Sequence, residues 1–363
     1  MGGKNDYLAL AATTLLLGGA GVAKSQDLTG DGADTPQVTR HLNAARQTAG
    51  EEWRATVDFL CGPDPDPGNA AASPLLEPVR IFDNLYAFGR SRTVVYALTT
   101  DDGIILIDAG YPDQVESVLL PGLSQLGLDP ADISHVIVAH GHRDHYGGSG
   151  YLQRQHGASI VLSAADWEML ERDGAEMAET AAGRPAVRDL IAQEGQSIVV
   201  GDVEVALVLI PGHTPGALGM IFSVKDGEKT HTAGLFVGTI LITSRISDEG
   251  LQQYLASIEH YAAVAREMGV DVEIQNHPIV DNMGDKLTQL KSRSVGDTHP
   301  FVVGVDAYQD FLGVISECTQ AEVARRSSGE RSRPGGRSYK RSDHRLVRSR
   351  LGGQGHYSGC DLI

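Results

Sequence analysis

Residues 136–148 read VIVAHGHRDHYGG. An apolar run, Val136 to Ala139, ends where His140, His142, Asp144 and His145 follow within six residues. In an extended chain, side chains two residues apart share a face. His140 and His142 are therefore placed to address one point, and the turn beyond them presents Asp144 and His145 to a neighbouring one. Imidazole and carboxylate without cysteine form a donor set suited to zinc, with iron or manganese as substitutes. One short segment thus seeds two adjacent metal positions.

A tetrahedral zinc takes about four ligands, and a catalytic one keeps a position open for water, so distant segments have to complete the set. Two histidines qualify by their placement. His213 follows the apolar run Val205 to Ile210 in LVLIPGHTPGALG, and His277 follows a short apolar strand in VEIQNHP, before a proline that stops it. Upstream, IILIDAG at 104–110 closes an apolar strand with Asp108. That residue is either an acceptor that fixes the tautomer and direction of a ligating imidazole or a plain turn residue.

The pieces HGHRDH at 140–145, PGHTPG at 211–216, NHP at 276–278 and IILIDAG at 104–110 stand in the order found in the metallo-β-lactamase superfamily, which the chain resembles over about residues 79–320. The resemblance implies an α/β fold, the four-layered αβ/βα sandwich. It also implies two zinc ions, the first held by His140, His142 and His213 and the second by Asp144, His145 and His277. That division is similar to the third subclass of metallo-β-lactamases, which has no cysteine ligand. Two positions depart from relatives. Many hydrolases of the superfamily bridge their metals with an aspartate in a GD pair, whereas this chain has Gly238-Thr239. Thr239 is left to hydrogen-bond a metal-bound water or substrate, or to serve as a β-branched strand residue. Leu241 falls near where the subclass tends to place a hydroxyl that holds the substrate carboxylate.

Zinc lowers the pKa of bound water from about 16 to about 7 and polarises a carbonyl, so no serine or cysteine nucleophile is needed. The expected reaction is attack by zinc-bound hydroxide on the carbonyl of a small cyclic amide or ester, β-lactamase-like, with Asp144 orienting the hydroxide while binding the second ion. The alternatives are an acyl-homoserine lactonase or thioesterase, and an iron-dependent redox enzyme of the same fold. The presence of His277 and the lack of a bridging aspartate favour hydrolysis.

The 363 residues have a net charge of −17, but residues 325–363 hold ten Lys or Arg against three acids, leaving −24 on the preceding 324. So acidic a body argues against a nucleic-acid partner and for a small-molecule substrate. Residues 1–23, with Lys4 ahead of the apolar stretch at 8–23, are composed like an export signal, which points to a periplasmic or secreted protein. Residues 24–78 read as an N-terminal extension and Pro-rich linker, 79–324 as the metallo-hydrolase domain, and 325–363 as a basic tail with the composition of disorder. No later stretch is apolar for long enough to span a membrane. Cys61, Cys318 and Cys360 are too few for a disulfide framework. Cys61 with Cys318 is the pair to expect in an exported protein, free thiols being the alternative.

Runs at 79–81, 85–88, 94–98 and 104–107 predict antiparallel strands of a first sheet, and runs at 198–200, 203–210, 218–224 and 230–242 predict a second. Helices are expected at 114–126, broken or kinked at Pro121, and at 149–155, 164–182, 252–268 and 306 to about 325. His231 and His260 sit inside regular segments and read as structural, while His299 and Phe301 are candidates for the border of a substrate pocket.

Overall fold

A computed structural model describes residues 34–62, 70–174, 184–294 and 296–328. Its first elements are two helices, α1 (Pro36–Ala49) and α2 (Arg54–Leu60). Thr35 starts α1 by accepting a hydrogen bond from the Val38 amide, and Pro36 occupies the first helical turn, where it forfeits no internal bond. Short turns then join four antiparallel strands, β1 (Leu75–Phe82), β2 (Leu85–Arg90), β3 (Thr93–Thr100) and β4 (Gly103–Ile107). From β4 onward the sheet becomes parallel. β5 (Ile133–Ile137), β6 (Ser159–Ser163) and β7 (Leu190–Ala192) are reached by crossovers through α3 (Leu120–Gln125), then α4 (Arg143–Tyr146) with α5 (Ser149–His156), then α6 (Ala164–Gly174). The seven strands lie in sequence order.

The second sheet runs β12-β11-β10-β9-β8. It comprises β8 (Ser197–Val200), β9 (Val203–Leu209), β10 (Leu218–Asp226), β11 (Lys229–Leu235) and β12 (Val272–Glu273), the last added parallel to β11 after the long helix α7 (Asp248–Glu267). Helices α8 (Met283–Ser292) and α9 (Val305–Ser327) follow.

Alternation along the strands decides the layering. Tyr96, Leu98, Ile105, Ile107, Ile137 and Val161 share a buried cluster with second-sheet residues such as Val205, Leu207, Met220 and Phe222. Their neighbours Val95, Ala97, Ile104, Leu106, Val136 and Ile160 point the other way, into a cluster with Leu123, Leu152, Trp167 and Leu170 of α3, α5 and α6. The far face of the second sheet meets α7 and α9, where Tyr261 donates to the Met220 carbonyl and Tyr308 donates to Tyr261. Helix, sheet, sheet and helix is thus the order of layers.

Several elements differ from the sequence reading for identifiable reasons. β1 begins at Leu75, inside the segment read as linker, and Pro78 is tolerated because β1 is an edge strand with a shifted register around it. Residues 36–60, read as part of an extension, are helical and pack on α9. Trp53 donates to the Ala307 carbonyl and stacks obliquely on Phe311, and a Cys61–Cys318 disulfide closes the contact. At Pro121 the expected kink takes the form of a change in winding, a π-helical turn at Val115–Leu119 passing into α3. The strand expected over 230–242 stops at Leu235. The apolar run at 159–163 and the segment 283–292, neither of which was assigned an element, form β6 and α8. Residues 1–33, 175–183 and 329–363, which include the export-signal reading, the far end of the helix expected at 164–182 and most of the basic tail, lie outside the described residues.

Candidate metal centre

The site forms where the carboxyl ends of the parallel strands β4, β5 and β6 meet the ends of β9 and β12, the crevice that open α/β sheets offer to ligands. After β5 the chain leaves regular structure at Val138, passes His140 and His142, and makes the single turn α4 that carries Asp144 and His145. The parallel loop after β4 is zipped to it: the Ala109 amide donates to the His145 carbonyl and the Gly147 amide to the Gly110 carbonyl. His213 arrives from the end of β9 and His277 from beyond β12. All six expected side chains converge on two points, each drawing on both sheets.

At the first point His213 Nε2 lies 3.1 Å from both His140 Nε2 and His142 Nδ1. Two imidazole nitrogens bound to one tetrahedral zinc at 2.0–2.1 Å would sit about 3.3 Å apart, so the spacing suits a shared cation. Burial, and then the charge of neighbouring histidines, holds His140 and His213 well below the usual imidazole pKa, which leaves their lone pairs unprotonated. At the second point, ligand atoms of Asp144, His145 and His277 lie within 4.8 Å of one another. His145 Nε2 is buried, stands 3.3 Å from Asp144 Oδ2, and is not aligned to hydrogen-bond it. Such an orphaned nitrogen facing a carboxylate and a second imidazole is the pattern a metal ion resolves. The rings of His140 and His145 are 4.0 Å apart, so the two points are neighbours.

Asp108 acts on the second point as the sequence suggested. It is fully buried and holds a φ of 65°, strained for a residue with a side chain. From there its carboxylate accepts from His145 Nδ1 (2.7 Å), the Ala139 amide (2.8 Å) and Asn276 Nδ2 (3.2 Å). His145 is thereby fixed with its proton on Nδ1 and Nε2 facing inward. His277 is oriented likewise, its Nδ1 donating to the Arg92 carbonyl at 2.8 Å. Burial opposes charge on both members of the Asp144–His145 pair. Even so, His145 and His277 draw the Asp144 carboxyl well below its ordinary range, and Asp144 with Asp108 carries His145 up to about 10. Metal uptake at this point therefore displaces a proton.

Thr239 is not the strand residue that was one of its two expected roles. It lies in the loop after β11 and donates to Gln275 Oε1 at 3.1 Å, bracing the strand that leads to His277. Gly238 before it has a φ of 69°, and a Cβ there would come within 2.5 Å of His213 Cβ, so the loop can pass His213 only as glycine. Leu241 turns towards α9, lining a cavity of about 30 Å³ with Leu60, Ile315 and Cys318. His299 and Phe301 do not join the site. The first donates from Nε2 to the Ile81 carbonyl and stacks on Phe82, and the second is buried beside Lys286.

Two groups escaped the sequence reading. Asp166, in the first turn of α6, bonds the loops on both sides of the three-histidine point. Lys286 of α8 is buried between Glu273 Oε2 (2.5 Å) and Asp281 Oδ2 (2.9 Å), four residues to either side of His277, with the rings of Trp53 and Phe301 just over 5 Å away. Burial pushes Glu273 up to about 8, while the two carboxylates hold Lys286 above its ordinary range against the same burial. Neither had a local signal, since an Asp in an alanine-rich helix start and a Lys in KLTQLKS both read as surface residues.

Residues 88–227 match the family model of the metallo-beta-lactamase superfamily. Among solved structures the chain is similar to BJP-1, a subclass B3 metallo-beta-lactamase of Bradyrhizobium japonicum, at 26% identity and a TM-score of 0.61 over 72% of this chain and 98% of that one. It also shares its fold with a FEZ-1 mutant from Legionella gormanii, at 21% identity and a TM-score of 0.60, over 71% of this chain and 98% of that one. By sequence it is 26% identical to an N-acyl homoserine lactonase of a Bacillus species over 36% of this chain, and 25% identical to one of Bacillus cereus over 40%. The chain spans 58% and 61% of those two lactonases. Among the described residues no helix is long and apolar enough to cross a membrane.

Proposed function

We propose that the protein is a two-zinc hydrolase that opens the carbonyl of a small cyclic amide or ester, with a β-lactam as the leading substrate class. The observation that carries this reading is the pair of adjacent donor sets, three histidines beside Asp144, His145 and His277, with no carboxylate shared between them. Similarity to a subclass B3 enzyme over nearly that enzyme's whole length supports the β-lactam, and the lactonase relatives support a lactone as the second reading.

When bound, zinc supplies a water of lowered pKa and an electrophile for the carbonyl oxygen. The chain's residues do the rest. His140 Nε2, His142 Nδ1 and His213 Nε2 present the first set of lone pairs. Asp108 and the Arg92 carbonyl hold the protons of His145 and His277 on Nδ1, leaving both Nε2 atoms available. Asp144, kept ionised by its histidine neighbours, would help to hold the second ion and would offer an oxygen that accepts a hydrogen bond from a water, orienting it. The disulfide between Cys61 and Cys318 supports an exported protein, since such bonds persist in oxidising compartments.

Metal analysis of the purified protein, followed by assay of a chromogenic β-lactam and an acyl-homoserine lactone with and without chelator, tests the reading. About two zinc equivalents and chelator-sensitive β-lactam turnover are expected. Turnover of the lactone alone moves the substrate to the second reading, and failure on both with zinc bound overturns hydrolysis of this class.

A further inference from the structure

We infer that Asp166 is a positioning residue for the three-histidine point, a cross-brace that fixes the distance between the loop carrying His140 and His142 and the loop carrying His213. The inference rests on the metal reading above and adds to it the group that shapes one of the two positions.

Asp166 is fully buried and uses both carboxylate oxygens. Oδ2 accepts from the Gly141 amide, between the first two histidines, at 2.8 Å and from Thr214 Oγ1, next to His213, at 2.7 Å. Oδ1 accepts from the Gly216 amide at 2.8 Å. The carboxylate thus ties together segments 25 and 50 residues away in sequence. None of these donors is a cation, so a charge taken out of water is compensated only by hydrogen bonds. The fit is close on the far side too. A Cβ on Gly216 would collide with Ser163 Oγ and approach the Asp166 amide to 2.9 Å, so the loop and the start of α6 are in direct contact.

The two metal positions differ in how their ligands are aimed, and this difference assigns Asp166 its task. At the second, His145 and His277 each hydrogen-bond through Nδ1 to a fixed acceptor. At the first, His140 Nδ1 and His213 Nδ1 are buried and have no partner among the described residues. Apart from the contacts within the three-histidine cluster itself, no hydrogen bond among the described residues sets the direction of those two rings. Their placement follows from the backbone that bears them, and Asp166 holds the two backbones together, alongside the Leu218 amide that donates to the Ala139 carbonyl at 2.9 Å. The partners of the Asp166 carboxylate are two backbone amides and the Thr214 hydroxyl, so its removal is expected to shift where the histidines stand and to leave the second position alone.

The test compares wild type with Asp166→Asn, which keeps the volume but turns an amide N–H towards a donor, and with Thr214→Val, which removes one arm and leaves the carboxylate. Cadmium-113 resonances distinguish the all-nitrogen position from the mixed one, chelator competition gives stepwise affinities, and urea unfolding of the metal-free proteins reports the fold. Asp166→Asn is expected to weaken the first position about 10- to 100-fold, and Thr214→Val several-fold, with the second position within about twofold of wild type. Equal loss at both positions in step with lower metal-free stability, or no loss at either, overturns the inference; should Asp166→Asn fail to fold, Thr214→Val decides alone. A wild-type protein that binds no metal at all refutes the metal reading instead, and this inference falls with it.

Discussion

Replacing Lys286 with Met keeps the length and apolar stem of the side chain and removes its charge. Glu273 and Asp281 then share an enclosed pocket without the lysine, and Glu273 Oε1 and Asp281 Oδ1 already have no hydrogen-bond partner among the described residues. Breaking a buried ion pair by deleting one member costs about 3–5 kcal/mol. In a domain of this size that lowers the melting temperature by roughly 10 °C. The pH dependence sharpens the expectation. Burial lifts Glu273 from 4.5 to about 8 in the folded protein, so the folded state keeps a proton that the unfolded state gives up. Its stability contribution is full below about pH 4.5 and is lost progressively as pH rises to about 8, each unit being worth up to about 1.4 kcal/mol. Without Lys286 the Glu273 carboxyl is pushed higher still, so the deficit of the variant is larger at pH 9, where the wild-type carboxyl has ionised beside its lysine, than at pH 5. Urea unfolding followed by circular dichroism at those two pH values, at fixed excess zinc, measures it. The further changes Glu273→Gln and Asp281→Asn are expected to restore more than half of the loss at pH 9. A deficit under about 1 kcal/mol, or one that does not vary with pH, would show that the triad is not the closed charge cluster described here.

Asp108→Asn replaces one of two accepting oxygens with a donor, so His145 Nδ1 and the Ala139 amide can no longer both be accepted, and it is expected to weaken metal binding at the second position about 10- to 100-fold by chelator competition, leaving the first nearly unchanged. Gly238→Ala places a methyl group against His213 and imposes a positive φ on alanine; the first position is expected to lose affinity while the second keeps its own. Replacing both Cys61 and Cys318 with serine opens a link 257 residues apart in sequence and is expected to lower stability to urea by about 2–5 kcal/mol, with metal stoichiometry retained.

The convergence of the six side chains was legible because each sits beside a visible strand end. HGHRDH is contiguous, and His213 and His277 follow apolar runs cut off by Pro-Gly or closed by proline. Continuous apolar runs at 94–98 and 104–107 likewise exposed strands that bury both faces, and the second sheet was legible almost strand by strand. Asp166 was not, because its partners are backbone amides far away in the chain, and a backbone donor leaves no trace in residue identity. Lys286 was hidden for the opposite reason: lysine is so commonly exposed that only the fold reveals the two carboxylates around it. The helices at 36–60 escaped notice because their apolar positions match the face of α9, which lies more than two hundred residues later.

Each donor set takes two members from the first sheet's loops and one from the second's. On the proposed metal reading, every ion that settles into place also rivets the two halves of the sandwich to each other. A ligand that binds only the folded state at a thousand times its dissociation constant adds about 4 kcal/mol, so the endurance of this protein against proteases and heat should track the free zinc of its surroundings, independently of any substrate.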